Sequence, residues 1–238
     1  GVQTCALPIS IELIQGLMKS LPALESKLID DVIVGNAVPE AEQGLQFGRI
    51  IAAKALGIEV PGITINRYCA SGLESIAMAT AKIRTGMADC IIAGGTESMS
   101  MVPTAGWKTV PAYSIAKDEP DYYLSMGLTA EAVANEYNVS REDQDAFAFA
   151  SHQKAIAAQA AGEFNSEIFP VKVAHRSMNL DKGQVDVQWR EFLKDEGPRV
   201  DTSLEGLAKL KSPFAARGSV TAGNSSQTSD GVGALLLA

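Results

Sequence analysis

Among the residues that could do covalent chemistry, Cys69 stands out by its setting. It lies in "ITINRYCASGLESIAMATAKI", residues 63–83, where a short apolar run enters the cysteine and a helical small-residue pattern leaves it. A helix start carries unpaired N–H groups and partial positive charge, both of which stabilise an anion. The thiolate is the reactive form of a cysteine. Ala70, Ser71 and Gly72 are small, so the backbone can come close to a bound molecule. These features fit an acyl-accepting nucleophile. They equally permit a thiol that only packs, because free cysteine is among the most buried residue types. Cys90 lies inside the apolar run "DCIIAGG" and reads as a packing residue.

The surrounding pattern alternates helices and strands. Apolar residues at 11, 13, 14, 17 and 18 predict a helix with Ser10 as its N-cap. "DDVIVGNAV", "PGITIN" and "DCIIAGG" read as strands, the last followed by turn-rich "GGTESMSM". "GLQFGRIIAAKALG" and "ASGLESIAMATAKIRTG" read as helices closed by Gly57 and Gly86. Unbroken apolar strands between helices predict an α/β layered core, with strands buried on both faces. Residues 10–101 form this core, and 217–238 return to it as a Gly/Ser loop and a buried strand. Residues 102–216 are richer in charge, aromatics and proline and read as a mostly helical insertion. Two of its helices meet at Asn138–Val139–Ser140, where Ser140 and Asp143 form an N-terminal cap.

Composition removes several function classes. A net charge of −8 argues against a nucleic-acid partner. No eighteen-residue apolar run is present to cross a membrane, and no basic block suits an anionic membrane surface. Three scattered cysteines, without a CxxC, point to a reducing, cytoplasmic setting. Two histidines, His152 and His175, are too few for a His-rich metal site, and His152 reads as solvent-facing. Val2–Ile9, "VQTCALPI", resembles the translation of a common sequencing-library adapter. Residues 1–9, with Cys5, are therefore expected to be non-native and are left out of the fold.

"NRYCASGLESIAMA" resembles the nucleophile motif of the thiolases, the family of acetyl-CoA acyltransferases. "AGGTESMS" (93–100), "MGLTAEAVA", "SREDQDAFAFASHQKA" and "SVTAGNSSQTSDGVGA" follow in that family's order. The resemblance covers nearly all of residues 10–238. It implies a layered α/β/α core with a mixed sheet, corresponding to the family's N-terminal half, plus an inserted loop domain on the coenzyme A side. It makes Cys69 the acyl-accepting residue. Arg199, in "DEGPRVD", falls where the family has an arginine near the CoA nucleotide; otherwise it reads as a surface arginine. Ser226, with Ala222 and Gly223, falls where the pantetheine arm is contacted; otherwise "AGNSSQ" is a turn. Phe214 falls on an apolar CoA-contacting position and Met126 on one that lines the acyl pocket.

The implied reaction is thiolysis of a 3-ketoacyl-CoA to acetyl-CoA and a shortened acyl-CoA, as in fatty acid β-oxidation. Coenzyme A is a substrate, and no permanent cofactor or metal is implied. "NSSQTSDG" and "DEGPR" look more like 3-ketoacyl-CoA thiolases than acetoacetyl-CoA thiolases. Ser125 stands where many biosynthetic thiolases have histidine, which also favours longer or different 3-ketoacyl substrates. The alternatives are an acetoacetyl-CoA thiolase, a carrier-dependent ketoacyl synthase, and a non-catalytic acyl-CoA- or lipid-binding relative. By resemblance the parent is a homodimer or homotetramer, and "PGITIN" offers an edge strand for pairing. The family's Asn-Glu-Ala-Phe, Gly-His-Pro and Cys-x-Gly segments do not occur here. The chain is thus expected to be an N-terminal fragment without the C-terminal domain, with little turnover alone.

Overall fold

The computed structural model describes residues 5–179 and 183–238. It divides into two compact units: residues 1–108, 169–193 and 228–238, and residues 109–168 and 194–227. The first four residues of the 1–9 segment lie outside the described residues.

The first unit is built on a four-stranded mixed sheet. Its strands are β1 (Asp31–Gly35), β2 (Gly62–Ile65), β3 (Ile91–Ser98) and β6 (Asp230–Leu237), in the order β2-β1-β3-β6. β1 pairs in parallel with both β2 and β3, setting Ile33 beside Ile63 and Ala93. β6 closes the sheet antiparallel to β3, with Gly94 opposite Ala234. All five residues of β1 are buried, as its unbroken apolar run predicts. β2 lies at one edge with Ile63 exposed.

Side chains alternate across the strands and so serve two cores. Val32, Val34 and Ile92 pack with Ile14 of α1 (Ala6–Ser20) and with Phe47, Ile51 and Ala52 of α2 (Phe47–Ala55). Ile33, Ile91 and Ala93 point the other way, against Ala79 of α3 (Ser71–Arg84). The result is the α/β layering expected from the alternating pattern, in the α/β/α form that the resemblance implies. Cys90 is 7% exposed and belongs to the first of these cores.

Several elements depart from the sequence pattern. α1 begins at Ala6, so Ser10 is not its N-cap; it is buried one turn in, and its Oγ donates to Ala6 O at 2.7 Å. β3 does not end at the glycine pair but runs to Ser98, because β6 supplies a ladder for 94–98. β6 is an edge strand with alternating burial rather than a fully buried one. A hairpin of β4 (Val171–Asn179) and β5 (Gln184–Phe192) was absent from the expected elements. "QVDVQW" carries the alternation that marks such a strand.

The second unit is helical among the described residues. It holds α4 (Tyr113–Asp118), α5 (Met126–Glu136), α6 (Arg141–Ala161) and α7 (Leu204–Ala208). Ser140 caps α6 as predicted: its Oγ accepts from Asp143 N at 3.0 Å and donates to Asp143 Oδ2 at 2.6 Å. No helix among the described residues is long and apolar enough to cross a membrane.

Candidate active site

Glycines decide where the first turn of α3 can sit. A Cβ on Gly35, at the end of β1, would collide with the Ser71 carbonyl and the Gly72 nitrogen. A Cβ on Gly95 of β3 would stand 3.2 Å from the Gly72 Cα. The helix therefore starts directly on the carboxyl end of β1 and the middle of β3. Ser75 fastens it there, its Oγ donating to Gly94 O at 2.8 Å.

Cys69 stands two residues before that helix and is exposed. The turn that presents it is pinned on both sides. Asn66 Oδ1 accepts from Tyr68 N at 2.8 Å, and Asn66 Nδ2 donates to Ala37 O at 2.9 Å. Ser71 Oγ accepts from Arg67 N at 2.8 Å and donates to Tyr68 O at 2.6 Å. Tyr68 is thereby held at φ +46°, a left-handed conformation that a non-glycine residue seldom adopts. Such conformations persist only where neighbours over-determine them, and they cluster at functional sites.

The "AGGTESMS" segment has a part in this turn that its residue types do not announce. Glu97 accepts from Ala37 N at 2.6 Å, Gln43 Nε2 at 2.8 Å and Asn36 Nδ2 at 3.1 Å. Gln43 Oε1 accepts from Ser98 N at 2.7 Å. One carboxylate thus ties the end of β3 to residues 36 and 37, and Ala37 in turn holds Asn66.

Cys69 belongs to the first unit; Met126, Arg199, Phe214, Ala222, Gly223 and Ser226 belong to the second. Met126 opens α5 and is 65% exposed, and the Phe214 ring lies over its neighbour Gly127. Those two candidates share one end of α5. Ser125 is the N-cap of that helix, its Oγ accepting from Leu128 N at 3.4 Å. The exposed Arg199 guanidinium is oriented by Asp201, with Nη2 to Oδ2 at 3.0 Å and Nε to Oδ1 at 3.2 Å. The Arg199 amide donates to His152 Nδ1 at 3.1 Å. His152 is therefore half-buried and engaged, not simply solvent-facing. Ala222 and Ser226 are exposed; Gly223 is half-buried, where a Cβ would meet Leu207 and Leu210 at 2.5 Å.

Beneath that loop lies a carboxylate that no local motif singles out. Glu131 is 6% exposed and accepts from Ser219 N, Val220 N and Ser219 Oγ. Burial pushes its carboxyl up, but the Ser219 and Val220 N–H groups outweigh this and hold it below the ordinary carboxylate range. A depressed folded-state value stabilises the protein above the unfolded value of about 4.3, and the contribution disappears as pH falls through the folded value. Thermal melts should show it: the lead of wild type over Glu131→Gln is full at pH 7 and shrinks on acidification below pH ~4. An unchanged lead would show that the charge on Glu131 is not what matters.

The first unit is thus an open α/β sheet with an exposed cysteine just before a helix start. The family model for the thiolase N-terminal domain matches residues 3–238, and the chain belongs to the thiolase family. It is 53% identical over 210 residues to the 3-ketoacyl-CoA thiolase of Bacillus subtilis, covering 88% of this chain and 54% of that protein. It is 41% identical over 242 residues to a β-ketoadipyl-CoA thiolase of Acinetobacter baylyi, covering 94% and 58%. Against an acetyl-CoA acetyltransferase of Pseudomonas aeruginosa the identity is 42% over 229 residues, covering 90% and 55%. The chain spans somewhat more than half the length of these curated relatives.

Proposed function

We propose that this chain carries the nucleophile and part of the coenzyme A site of an acyl-CoA acyltransferase. The observation that carries the reading is the exposed Cys69, held by a pinned left-handed turn at the start of α3. The Cys69 thiolate attacks the keto carbon of a 3-ketoacyl-CoA. The C2–C3 bond breaks, acetyl-CoA leaves as its enolate and takes up a proton, and the shortened acyl group stays on sulfur. The thiol of a second CoA gives up its proton and attacks that thioester, releasing acyl-CoA and restoring the Cys69 thiolate. Arg199 pairs with phosphate of the CoA nucleotide, Ala222, Gly223 and Ser226 flank the pantetheine arm, and Met126 with Phe214 supplies apolar surface.

Among acyl groups, a longer or different 3-ketoacyl chain is favoured over acetoacetyl-CoA, because Ser125 stands where many biosynthetic thiolases have histidine. Degradative use, as in β-oxidation, follows from that preference. Two copies pair through the open edge of β2. The test is acyl transfer onto the protein. Incubated with acetyl-, hexanoyl- or adipoyl-CoA and digested, the chain should yield one acylated peptide, the one holding Cys69, with a hydroxylamine-labile bond. No adduct with any acyl-CoA, together with Cys69 alkylation that is indifferent to acyl-CoA, would favour a non-catalytic binding role.

A further inference from the structure

The motifs "GLTAE", "SREDQDA" and "AGNSSQ" lie far apart in the chain, and the proposed chemistry uses only Ala222, Gly223 and Ser226 of the last. In the second unit their polar residues converge. Glu131 Oε2 accepts from Ser219 N at 2.9 Å and from Ser219 Oγ at 3.2 Å, while Oε1 accepts from Val220 N at 2.9 Å. Asp145, 4% exposed, takes Arg141 Nε on Oδ2 at 2.8 Å and Asn224 Nδ2 on Oδ1 at 2.9 Å. The same Asn224 nitrogen donates to Ser219 O at 3.1 Å, and Asn224 Oδ1 accepts from Thr221 N at 2.7 Å. Arg141 Nη2 continues to Leu207 O at 2.7 Å and Leu210 O at 3.1 Å, on the stretch whose side chains abut Gly223. Gly218 is constrained too, since a Cβ there would run into Glu131 Oε1.

We propose that Glu131 and Asp145 are positioning residues for coenzyme A: together they set the backbone of residues 219–224 so that Ala222 and Ser226 face the pantetheine arm. The inference rests on the reading of that loop as a CoA contact. Two buried carboxylates are costly unless hydrogen-bonded, and apolar side chains would fill the same space at lower cost. Here their donors come largely from one short loop. Val220 and Thr221 are buried beneath it, whereas Ala222, Ser225 and Ser226 are exposed above it. The underside is fixed by charge-assisted hydrogen bonds, and the opposite side is left for a ligand. Gln in place of Glu131 keeps the volume but turns an NH2 group toward a backbone N–H, so the loop shifts without a cavity.

The experiment is calorimetric titration of the 238-residue chain with coenzyme A, for wild type, Glu131→Gln, Asn224→Ala and Val60→Ala. Val60 is buried in the first unit and serves as a stability control. All are measured at least 15 °C below the lowest melting temperature, with amide exchange followed at Ser219–Thr221. Glu131→Gln and Asn224→Ala should weaken CoA binding about tenfold and speed exchange at those amides; Val60→Ala should lower the melting temperature with CoA affinity unchanged. Wild-type affinity in Glu131→Gln would overturn the positioning role alone. Failure of wild type to bind CoA would overturn the reading of the loop as a CoA contact, and this inference with it.

Discussion

Gly35→Ala should unfold the protein roughly 6–12 °C below wild type, while Gly72→Ala, at the neighbouring helix turn, should not. Gly35 does not have a positive φ, so alanine is conformationally acceptable there. The whole cost is steric. Its Cβ would meet the Ser71 carbonyl and Gly72 nitrogen, and backbone atoms cannot rotate aside as a side chain can. Overpacking costs about 1–3 kcal/mol, and an unyielding partner puts this position at about 3 kcal/mol or more. At Gly72 a Cβ would meet nothing within 4 Å, and alanine in a helix is favoured over glycine by about 1 kcal/mol. Thermal denaturation of the two variants side by side checks the pair. A Gly35→Ala protein melting with wild type would mean that α3 does not rest on β1 as described. The same displacement should slow alkylation or acylation of Cys69, because the turn that presents it hangs from that first helical turn.

This dependence on close backbone approach explains what the sequence could and could not reveal. Apolar runs and helix stops were legible because each is a local property: β1, α2 with Gly57 and α3 with Gly86 follow from composition within ten or fifteen residues. The Cys69 turn was legible as a strand–Cys–helix junction for the same reason. The end of β3 was not. "GGTES" has poor strand propensity, and only the ladder with β6, more than a hundred residues later, makes it a strand. Ser10 has the chemistry of a cap, yet the helix begins earlier, so its hydroxyl turns back to Ala6 O. Glu131 reads as a solvated helix residue; its partners are 88 and 89 positions away. Glu97 is similar, with Ala37 60 positions away. Polar residues whose role is to hold a distant backbone carry no periodic signal: Glu97 supports the Cys69 turn in the first unit, and Glu131 supports the 219–220 backbone in the second.

The second large effect is chemical. Cys69→Ala should abolish acyl transfer from acyl-CoA to the protein at the peptide that holds residue 69, a loss of at least about a thousandfold. Cys90 is 7% exposed, and burial followed by the nearby Asp30 charge pushes its thiol up, so little of it is thiolate near neutral pH. Cys5, half-buried at the start of α1, shares the helix-start setting, and peptide mapping of the adduct separates it from Cys69. Cys90→Ala should therefore keep wild-type acylation and lose about 1 kcal/mol of stability from the cavity. Cys69→Ser separates position from reactivity: its oxygen occupies nearly the same place, yet a hydroxyl without an adjacent base is a far weaker nucleophile. Acylation should fall almost as far as in Cys69→Ala while the fold and the melting temperature stay with wild type. Intact-mass spectra over a time course with acyl-CoA read all three variants at once. Acyl adducts that persist in Cys69→Ala and vanish in Cys90→Ala would move the nucleophile into the core, and the pinned turn at Tyr68 would then be a structural feature without a catalytic consequence.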